Sequence, residues 1–280
     1  MTGRVTPESI ATSRERIETS IDKPSVARIY DYLLGGSHNY AVDRDFAERQ
    51  LEVWPGIRAA MQANRRFLGR ATRYAVESGI RQFVDIGSGL PSDGQVHEVA
   101  EEVLPDVTKV VYVDNEPIAH AHAQILLGEH ADPDRHFALD ADLLDYRKLW
   151  RQVSAIDGID AEQPICLLVV ALLHFIPDDK GPHEALAHLR DQLAPGSMLV
   201  ISHGADVTDE AVAEVVRNYN ARSTSTVLRT PEQITEFFGD FELADPGLTW
   251  VPRWRPDERE TFAGPPAESV YLGGVARKSG

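Results

Sequence analysis

The sequence predicts an α/β fold, with a doubly wound, mostly parallel sheet, an antiparallel C-terminal edge and an N-terminal helical extension. From Gln82 onward, short apolar runs alternate with helical stretches of ten or more residues, which is typical of parallel βαβ units with right-handed crossovers. The first 80 residues show helical periodicity without a strand pattern. Two late apolar segments have no convincing helix between them, which predicts an antiparallel pair.

The N-terminal extension begins with a polar, Arg- and Glu-rich stretch, residues 1–22, that we expect to be a mobile tail or a frayed helix. A helix is predicted from about Ser25 to Leu34, because the apolar residues fall on one face and Gly35-Gly36 supplies a stop. Further helices are predicted from about Asp43 and over residues 57–78. Residues 1–80 carry 12 Lys and Arg against 10 Asp and Glu, whereas the remainder carries 16 against 34. We therefore divide the chain into a helical cap or lid (1–80) and a sheet domain (81–280).

The sheet domain contains five strand-like runs that each precede a helical stretch, namely RQFVDI, KVVYVD, HFAL, ICLLVV and SMLVISH. The late strands are expected near Phe241 to Leu243 and Ser269 to Val275. The intervening PGLTWVPRWRPDE is expected to be a loop.

Composition limits the possible partners. A content of 42% hydrophobic and 26% charged residues is typical of a packed globular protein, and a net charge of -16 repels phosphate backbones and anionic lipid surfaces. Nucleic acid and membrane partners are therefore not expected. Cys166 is the single cysteine, so disulfides and thiolate metal clusters are excluded, and the histidines show no metal-ligand spacing. A protein without a signal-like N-terminus is expected in the cytoplasm.

The candidate site begins after the first strand, where ligands of doubly wound sheets bind. Gly87, Ser88 and Gly89 form a loop that permits a tight turn and close approach of backbone to ligand. Asp85 precedes this loop and would repel a dinucleotide pyrophosphate, but it suits a cationic amino-acid ligand such as S-adenosylmethionine (SAM). The alternative is an ordinary βα turn in which Asp85 caps local amides.

Acidic residues also end the next two strands. Asp114, followed by Asn115, lies about 25 residues beyond the glycines, where a carboxylate can accept both ribose hydroxyls of an adenosine. Taken alone, Asp114 could instead be a helix N-cap. After the third strand, we choose Asp142 over Asp140, together with the backbone amide of Leu143, to contact the adenine edge. A solvated loop acid is the alternative there.

These motifs resemble those of a known class of enzymes. In order, VDIGSG, VVYVDN, DADLLD and VVALLHFIPD are similar to the glycine loop, ribose acid, adenine acid and fourth strand of Rossmann-like SAM-dependent methyltransferases. ARIYDYLLGGSHNYAVDR, ANRRFLGRATRY, RTPEQITEFF and PGLTWVPRWRP resemble a bacterial methyltransferase family of largely unassigned substrate, of the family 19 type and formerly a domain of unknown function. The resemblance implies a Rossmann-like fold, a SAM cofactor and methyl transfer. Pro91 and Ser92 replace the third glycine of methyltransferase and dinucleotide patterns, respectively.

Three residues of the extension are candidate cofactor contacts. Arg65 lies at the edge of the apolar face of the third helix, where its guanidinium could pair with the methionine carboxylate of SAM or form a salt bridge to the acidic body. The neighbouring Arg66, Arg70 and Arg73 are expected to point away. Gly36 could let a lid approach the cofactor or could simply end a helix, and Tyr30 shares the inward stripe, where core packing is the default.

The expected activity is SAM-dependent methyl transfer to an unidentified small-molecule acceptor. His174, at the carboxyl end of the fourth strand, is the candidate general base, although such a histidine is more often packed or bonded to a loop. The alternatives are a SAM-binding regulator or scaffold without turnover and, less compatible with Asp85, an NAD(P)-dependent oxidoreductase.

Overall fold

A computed structural model describes residues 22–91, 94–222, 225–257 and 262–280. The predicted tail therefore lies outside the described residues except for Asp22, and Ser92 also lies outside them. The extension contains three helices close to their predicted bounds, which are α1 (Val26–Leu34), α2 (Ala41–Val53) and α3 (Ile57–Glu77).

The remainder alternates strands and helices as predicted. Its strands are β1 (Gln82–Ile86), β2 (Lys109–Asp114), β3 (His136–Asp140), β4 (Ile165–Val170), β5 (Met198–Gly204), β6 (Glu242–Leu243), β7 (Thr249–Trp250) and β8 (Tyr271–Arg277). Its α-helices are α4 (Val96–Val103), α5 (Pro117–His130), α6 (Tyr146–Ser154), α7 (Pro182–Gln192), α8 (Glu210–Asn220) and α9 (Pro231–Glu236).

The sheet has the strand order β3-β2-β1-β4-β5-β8-β6, and β7 also pairs with β8. Strands β1 to β5 are parallel, whereas β8 is antiparallel to β5, β6 and β7. The predicted fold class is confirmed. One local prediction was wrong, because the segment expected to be a loop contains β7 and a 3-10 turn (Val251–Arg253). Both lie against other elements, and that contact is not visible in local periodicity.

The third helix of the extension packs into the core of the sheet domain. Its Phe67 is fully buried and belongs to one apolar cluster with Val200 of β5 and Val275 of β8. A Cβ on Gly273 would lie 2.8 Å from Phe67 Cζ, so glycine permits the close approach of this helix to β8. Helix α3 and the sheet therefore share a core.

Arg70 was predicted to point away from the body, and this was wrong. Its Nε donates to the carbonyl of Trp254 at 2.9 Å and its Nη2 to that of Val251 at 2.6 Å. The guanidinium thus supplies hydrogen bonds to carbonyls of the turn that follows β7.

Candidate functional site

The carboxyl ends of the parallel strands open into a cavity of about 500 Å³. This volume lies in the range of about 300–1,000 Å³ that holds a small organic ligand. We call one side the cofactor half, which is formed by Arg65 and residues 85–90, 114–116 and 141–144. The opposite side, which we call the acceptor half, lies between the extension and the late elements and includes Leu33, Ile57, Met61, Val215, Tyr219 and Tyr271.

The glycine loop after β1 lies against the segment that follows β4. Gly87 and Gly89 have φ values of +72° and +67°, in the left-handed region that favours glycine. A Cβ on Gly87 would meet the Leu172 side chain at 2.8 Å, so a larger residue would clash as well as be strained. Asp85, Gly87, Ser88 and Gly89 all line the cavity, which brings the predicted loop residues together.

Asp114 joins the glycine loop to the end of β2. Its Oδ2 accepts a hydrogen bond from the Gly89 amide and its Oδ1 accepts one from the Glu116 amide, both at 2.8 Å. Glu116 is the N-cap of α5, and its Oε2 accepts a hydrogen bond from the Ala119 amide at 2.6 Å. The helix N-cap, which was the alternative role for Asp114, is therefore formed by Glu116. Burial raises the pKa of Asp114 to about 6, although the two amides oppose that shift.

Asp85 is buried close to two charged neighbours. Burial raises the pKa of its carboxyl to about 7, the positive charge of Arg65 opposes this rise, and the negative charge of Asp114 adds to it. A buried carboxyl of this kind is stabilised in its charged form by a cation in the cavity. Arg65 also lines the cavity, as predicted.

Asn115, Asp142 and Leu143 lie together at the ends of β2 and β3. Asp142 caps a 3-10 turn (Leu143–Asp145): its Oδ1 accepts from the Leu144 amide at 2.8 Å, and its Oδ2 accepts from Asn115 Nδ2 at 3.0 Å. Asp142 lines the cavity, whereas the exposed Asp140 is not among the described residues that line it. The choice of Asp142 is therefore consistent with the geometry.

Tyr30 of the extension also lines the cavity. Its hydroxyl donates to the Met61 carbonyl at 3.2 Å and accepts from Asn64 Nδ2 at 3.1 Å. The Ser202 hydroxyl donates to Asn64 Oδ1 at 2.6 Å, which extends this chain to β5. The hydroxyl is thus held by α3 at the edge of the cavity, and a contact between Tyr30 and the cofactor stays a prediction.

Gly36, in contrast, is not among the described residues that line the cavity. Its amide donates to the Asp31 carbonyl at 2.9 Å, and a Cβ at this position would lie 2.1 Å from Asp31 Oδ1. The absence of a side chain leaves room for the Asp31 carboxylate. The proposed contact between Gly36 and the cofactor is therefore not supported.

His174 lies in a 3-10 turn (Leu173–Phe175) after β4 and lines the cavity. Its ring is buried, and its Nδ1 has no hydrogen-bond partner among the described residues. Burial, together with the nearby His203 and Arg229, holds its pKa well below the usual value, so the ring is neutral near pH 7.

Two buried arginines organise this region and were not predicted as site residues. Arg229 donates to the carbonyls of Leu173 at 3.0 Å and Ile176 at 2.8 Å, to Asp178 Oδ1, and to His203 Nε2. Its position in RTPEQITEFF, a motif of the resemblance, was the available signal. It holds the turn that carries His174.

Arg28 is the second buried arginine. Its Nε donates to Asp43 Oδ2 at 2.7 Å and its Nη1 to Glu116 Oε1 at 2.8 Å. It therefore connects α1 with the start of α2 and with the N-cap of α5, next to Asp114. Its position in ARIYDYLLGG again lies within a motif of the resemblance.

The model of the S-adenosyl methyltransferase family matches residues 11–279. The chain belongs to this family. The predicted resemblance is thereby confirmed, and the cofactor of this S-adenosyl methyltransferase family member is SAM.

Two solved structures with the same fold align with nearly the whole of this chain. A protein from Thermobifida fusca assigned as a methyltransferase is 35% identical, with a TM-score of 0.86 and coverage of 94% of this chain and 98% of that one. A DUF574 family protein from Streptomyces avermitilis is also 35% identical, with a TM-score of 0.87 and coverage of 92% and 99%.

A curated relative from Mycobacteroides abscessus, assigned to the S-adenosyl-L-methionine-dependent methyltransferases, is 32% identical over 164 residues. That alignment covers 55% of this chain and 51% of the relative. The chain spans about half the length of the curated relatives it matches.

Within the described ranges, no helix has the length and apolar character needed to cross a bilayer. The same part of the chain contains no group of three or more His, Cys, Asp or Glu side chains placed to hold a metal ion.

Proposed function

We propose that this chain transfers the methyl group of SAM to a small-molecule acceptor bound in the same cavity. The observation that carries the proposal is the division of the cavity, with most of the charged groups in one half and mainly apolar side chains in the other. A cationic cofactor suits the first half and an organic acceptor suits the second.

The residues of the cofactor half fit SAM. Asp85 offers a buried carboxylate whose pKa is raised mainly by burial, so a cation in the cavity would stabilise its charged form, and it would hold the ammonium group. Asp114 would hold the ribose hydroxyls, and Arg65 the carboxylate. Asp142 and the amide of Leu143 would contact the adenine edge. The glycine loop would allow close approach of the backbone.

When bound, SAM supplies a methyl group that is already activated by its positively charged sulfur, so the protein mainly aligns the acceptor. We propose His174 as the group that takes a proton from the acceptor. Its neutral ring has a nitrogen without a described hydrogen-bond partner. General bases contribute about 10²- to 10⁴-fold to a rate, most when their pKa lies near the operating pH, so the lowered pKa of His174 favours the lower part of that range.

Binding and turnover measurements test the proposal separately. Calorimetry should give micromolar-range dissociation constants for SAM and for its demethylated product, and much weaker binding of NAD. Tight NAD binding without SAM binding would favour an oxidoreductase. Transfer of labelled methyl to members of an acceptor panel would then establish an enzyme, whereas SAM binding without turnover on any acceptor would favour a regulator or scaffold.

A further inference from the structure

The acceptor half is lined by many aromatic rings, and the proposed function does not account for them. Its walls are aliphatic side chains together with the rings of Tyr30, Phe175, Tyr219 and Tyr271. Rings in such surroundings pack edge-on or offset against other rings. His174 already contacts two of them, with centroid distances of 4.1 Å to Phe175 and 5.7 Å to Tyr271. These surroundings favour a ring compound as the occupant.

Charged groups are almost confined to the cofactor half. Asp31 is the exception among the described residues that line the acceptor half. Its Oδ2 accepts hydrogen bonds from the His38 amide at 2.9 Å and from Asn39 Nδ2 at 2.8 Å, and its Oδ1 lies against Gly36. The carboxylate is thus directed to the loop between α1 and α2. Its Oδ1 has no hydrogen-bond partner among the described residues. An anionic acceptor would meet no cationic side chain among the described residues of this half, and burying an unpaired charge is costly.

The polar side chains that line the acceptor half differ in what they can still bind. Tyr30 and Asn64 are hydrogen-bonded to each other, and Asn64 also accepts from Ser202, which is not among the described residues that line the cavity. His174 Nδ1, in contrast, has no hydrogen-bond partner among the described residues. Because Nδ1 is itself buried, a hydroxyl group on the acceptor would bond to Nε2, the other ring nitrogen, which is not hydrogen-bonded to a described residue either.

We propose that the acceptor half selects an uncharged ring compound that carries a hydroxyl group, and that this hydroxyl is bound by His174. This inference rests on the proposed function. Methylation of the hydroxyl would form an oxygen–carbon bond and break the sulfur–carbon bond, whose electron pair stays on sulfur, and the hydroxyl proton would pass to His174. Charged acceptors such as amino acids and nucleotides are disfavoured by the same walls.

The experiment uses the full chain and three probes of one shape, namely 2-naphthol, 2-naphthoate and naphthalene. Binding of S-adenosylhomocysteine is measured first by calorimetry, because its failure would contradict the proposed function itself. Each probe is then titrated into protein saturated with that ligand. We expect 2-naphthol to bind at least tenfold more tightly than 2-naphthoate and about two- to tenfold more tightly than naphthalene. In His174→Phe, 2-naphthol and naphthalene should bind equally.

A pair of matched variants tests the effect of a charge in the acceptor half. Val216 is half-buried on α8 and lines the cavity, so Val216→Asp and Val216→Asn differ in charge but hardly in size. Val216→Asp should bind 2-naphthol at least tenfold less tightly than Val216→Asn, with equal affinities for S-adenosylhomocysteine. The inference is overturned, and the proposed function left standing, if S-adenosylhomocysteine binds but 2-naphthoate equals or exceeds 2-naphthol, or no ring probe binds.

Discussion

The Gly89 amide donates a 2.8 Å hydrogen bond to Asp114 Oδ2, which ties the loop after β1 to the acidic end of β2. Each oxygen of a carboxylate can accept more than one hydrogen bond, so Asp114 can keep this contact and still bind ribose. The same side chain thus shapes the loop and, in the proposed function, would also contact the ligand.

Replacing Asp114 by alanine should therefore weaken SAM binding. We expect a loss of about 1.5 to 3 kcal/mol, or roughly tenfold to hundredfold in affinity, measured by calorimetry. Asp140→Ala is the matched control, because Asp140 is aligned with Asp114 in the β2–β3 pair but is exposed. Equal effects of the two substitutions would show that Asp114 has no special role in binding.

The binding of SAM should depend on pH through Asp85. Its pKa of about 7 means that the carboxyl is largely protonated below pH 7 in the free protein, whereas a bound cation favours the charged form. Affinity should fall as pH decreases from 8 to 6. Binding at pH 6 should release a proton, measured from the dependence of the calorimetric enthalpy on the buffer. Asp85→Asn should remove that proton release, and its persistence would point to another group.

The same substitution should stabilise the free protein. A carboxyl whose pKa is raised on folding is unfavourable when ionised, so its stabilising effect is present at low pH and is lost as pH rises from about 4 to about 7. At pH 8, Asp85→Asn should increase the free energy of unfolding on the order of a few kcal/mol, and by less at pH 5. Denaturant unfolding at the two pH values measures both quantities. A decrease at pH 8 would contradict the electrostatic explanation.

Arg65 and Arg66 provide a paired test of the extension. Both are half-buried on α3, but Arg65 lines the cavity and Arg66 does not. Arg65→Ala should weaken SAM binding by about 1 to 3 kcal/mol if its guanidinium meets the cofactor carboxylate, whereas Arg66→Ala should have almost no effect. Calorimetry measures affinity and a thermal melt measures stability. If both variants lose stability equally and keep SAM affinity, Arg65 is a structural ion-pair partner.

His174→Asn should separate catalysis from binding. We expect methyl transfer to fall by about 10²- to 10⁴-fold with little change in SAM affinity. His188→Asn is the control, because His188 lies on α7 and is not among the described residues that line the cavity. A rate that is unchanged in His174→Asn would reduce His174 to a packing residue.

The sequence predicts the cofactor half better than the contacts around it, for a physical reason. Asp85 and Asp114 lie at the carboxyl ends of β1 and β2, and Asp142 follows β3. Because the carboxyl ends of parallel strands meet at one edge of the sheet, their proximity follows from topology. The bond from Arg28 to Glu116 joins residues 88 positions apart and depends on how α1 packs. Local periodicity carries no information about such a pairing.

The sequence alone also does not show whether the N-terminal extension could be deleted as a separate lid. The helical periodicity of residues 57–78 predicts an apolar inward face, and Ile57 and Leu68 of α3 are buried, but periodicity does not show which surface that face meets. Because α3 contributes Phe67 to the cluster that contains Val200 and Val275, deletion of residues 23–80 should expose the sheet core as well as remove Arg65. Single substitutions are therefore the sharper test of the extension.

The packing of Phe67 against Gly273 has a consequence for synthesis of the protein. Helix α3 precedes every strand of the sheet, whereas β8 is the last strand of the described chain to be made. While the intervening strands are synthesised, the apolar face of α3 therefore lacks one of its main partners, and contacts this distant along the chain form slowly and are exposed to aggregation. Chaperones that shield apolar helices on nascent chains would have an extended interval in which to act on this protein.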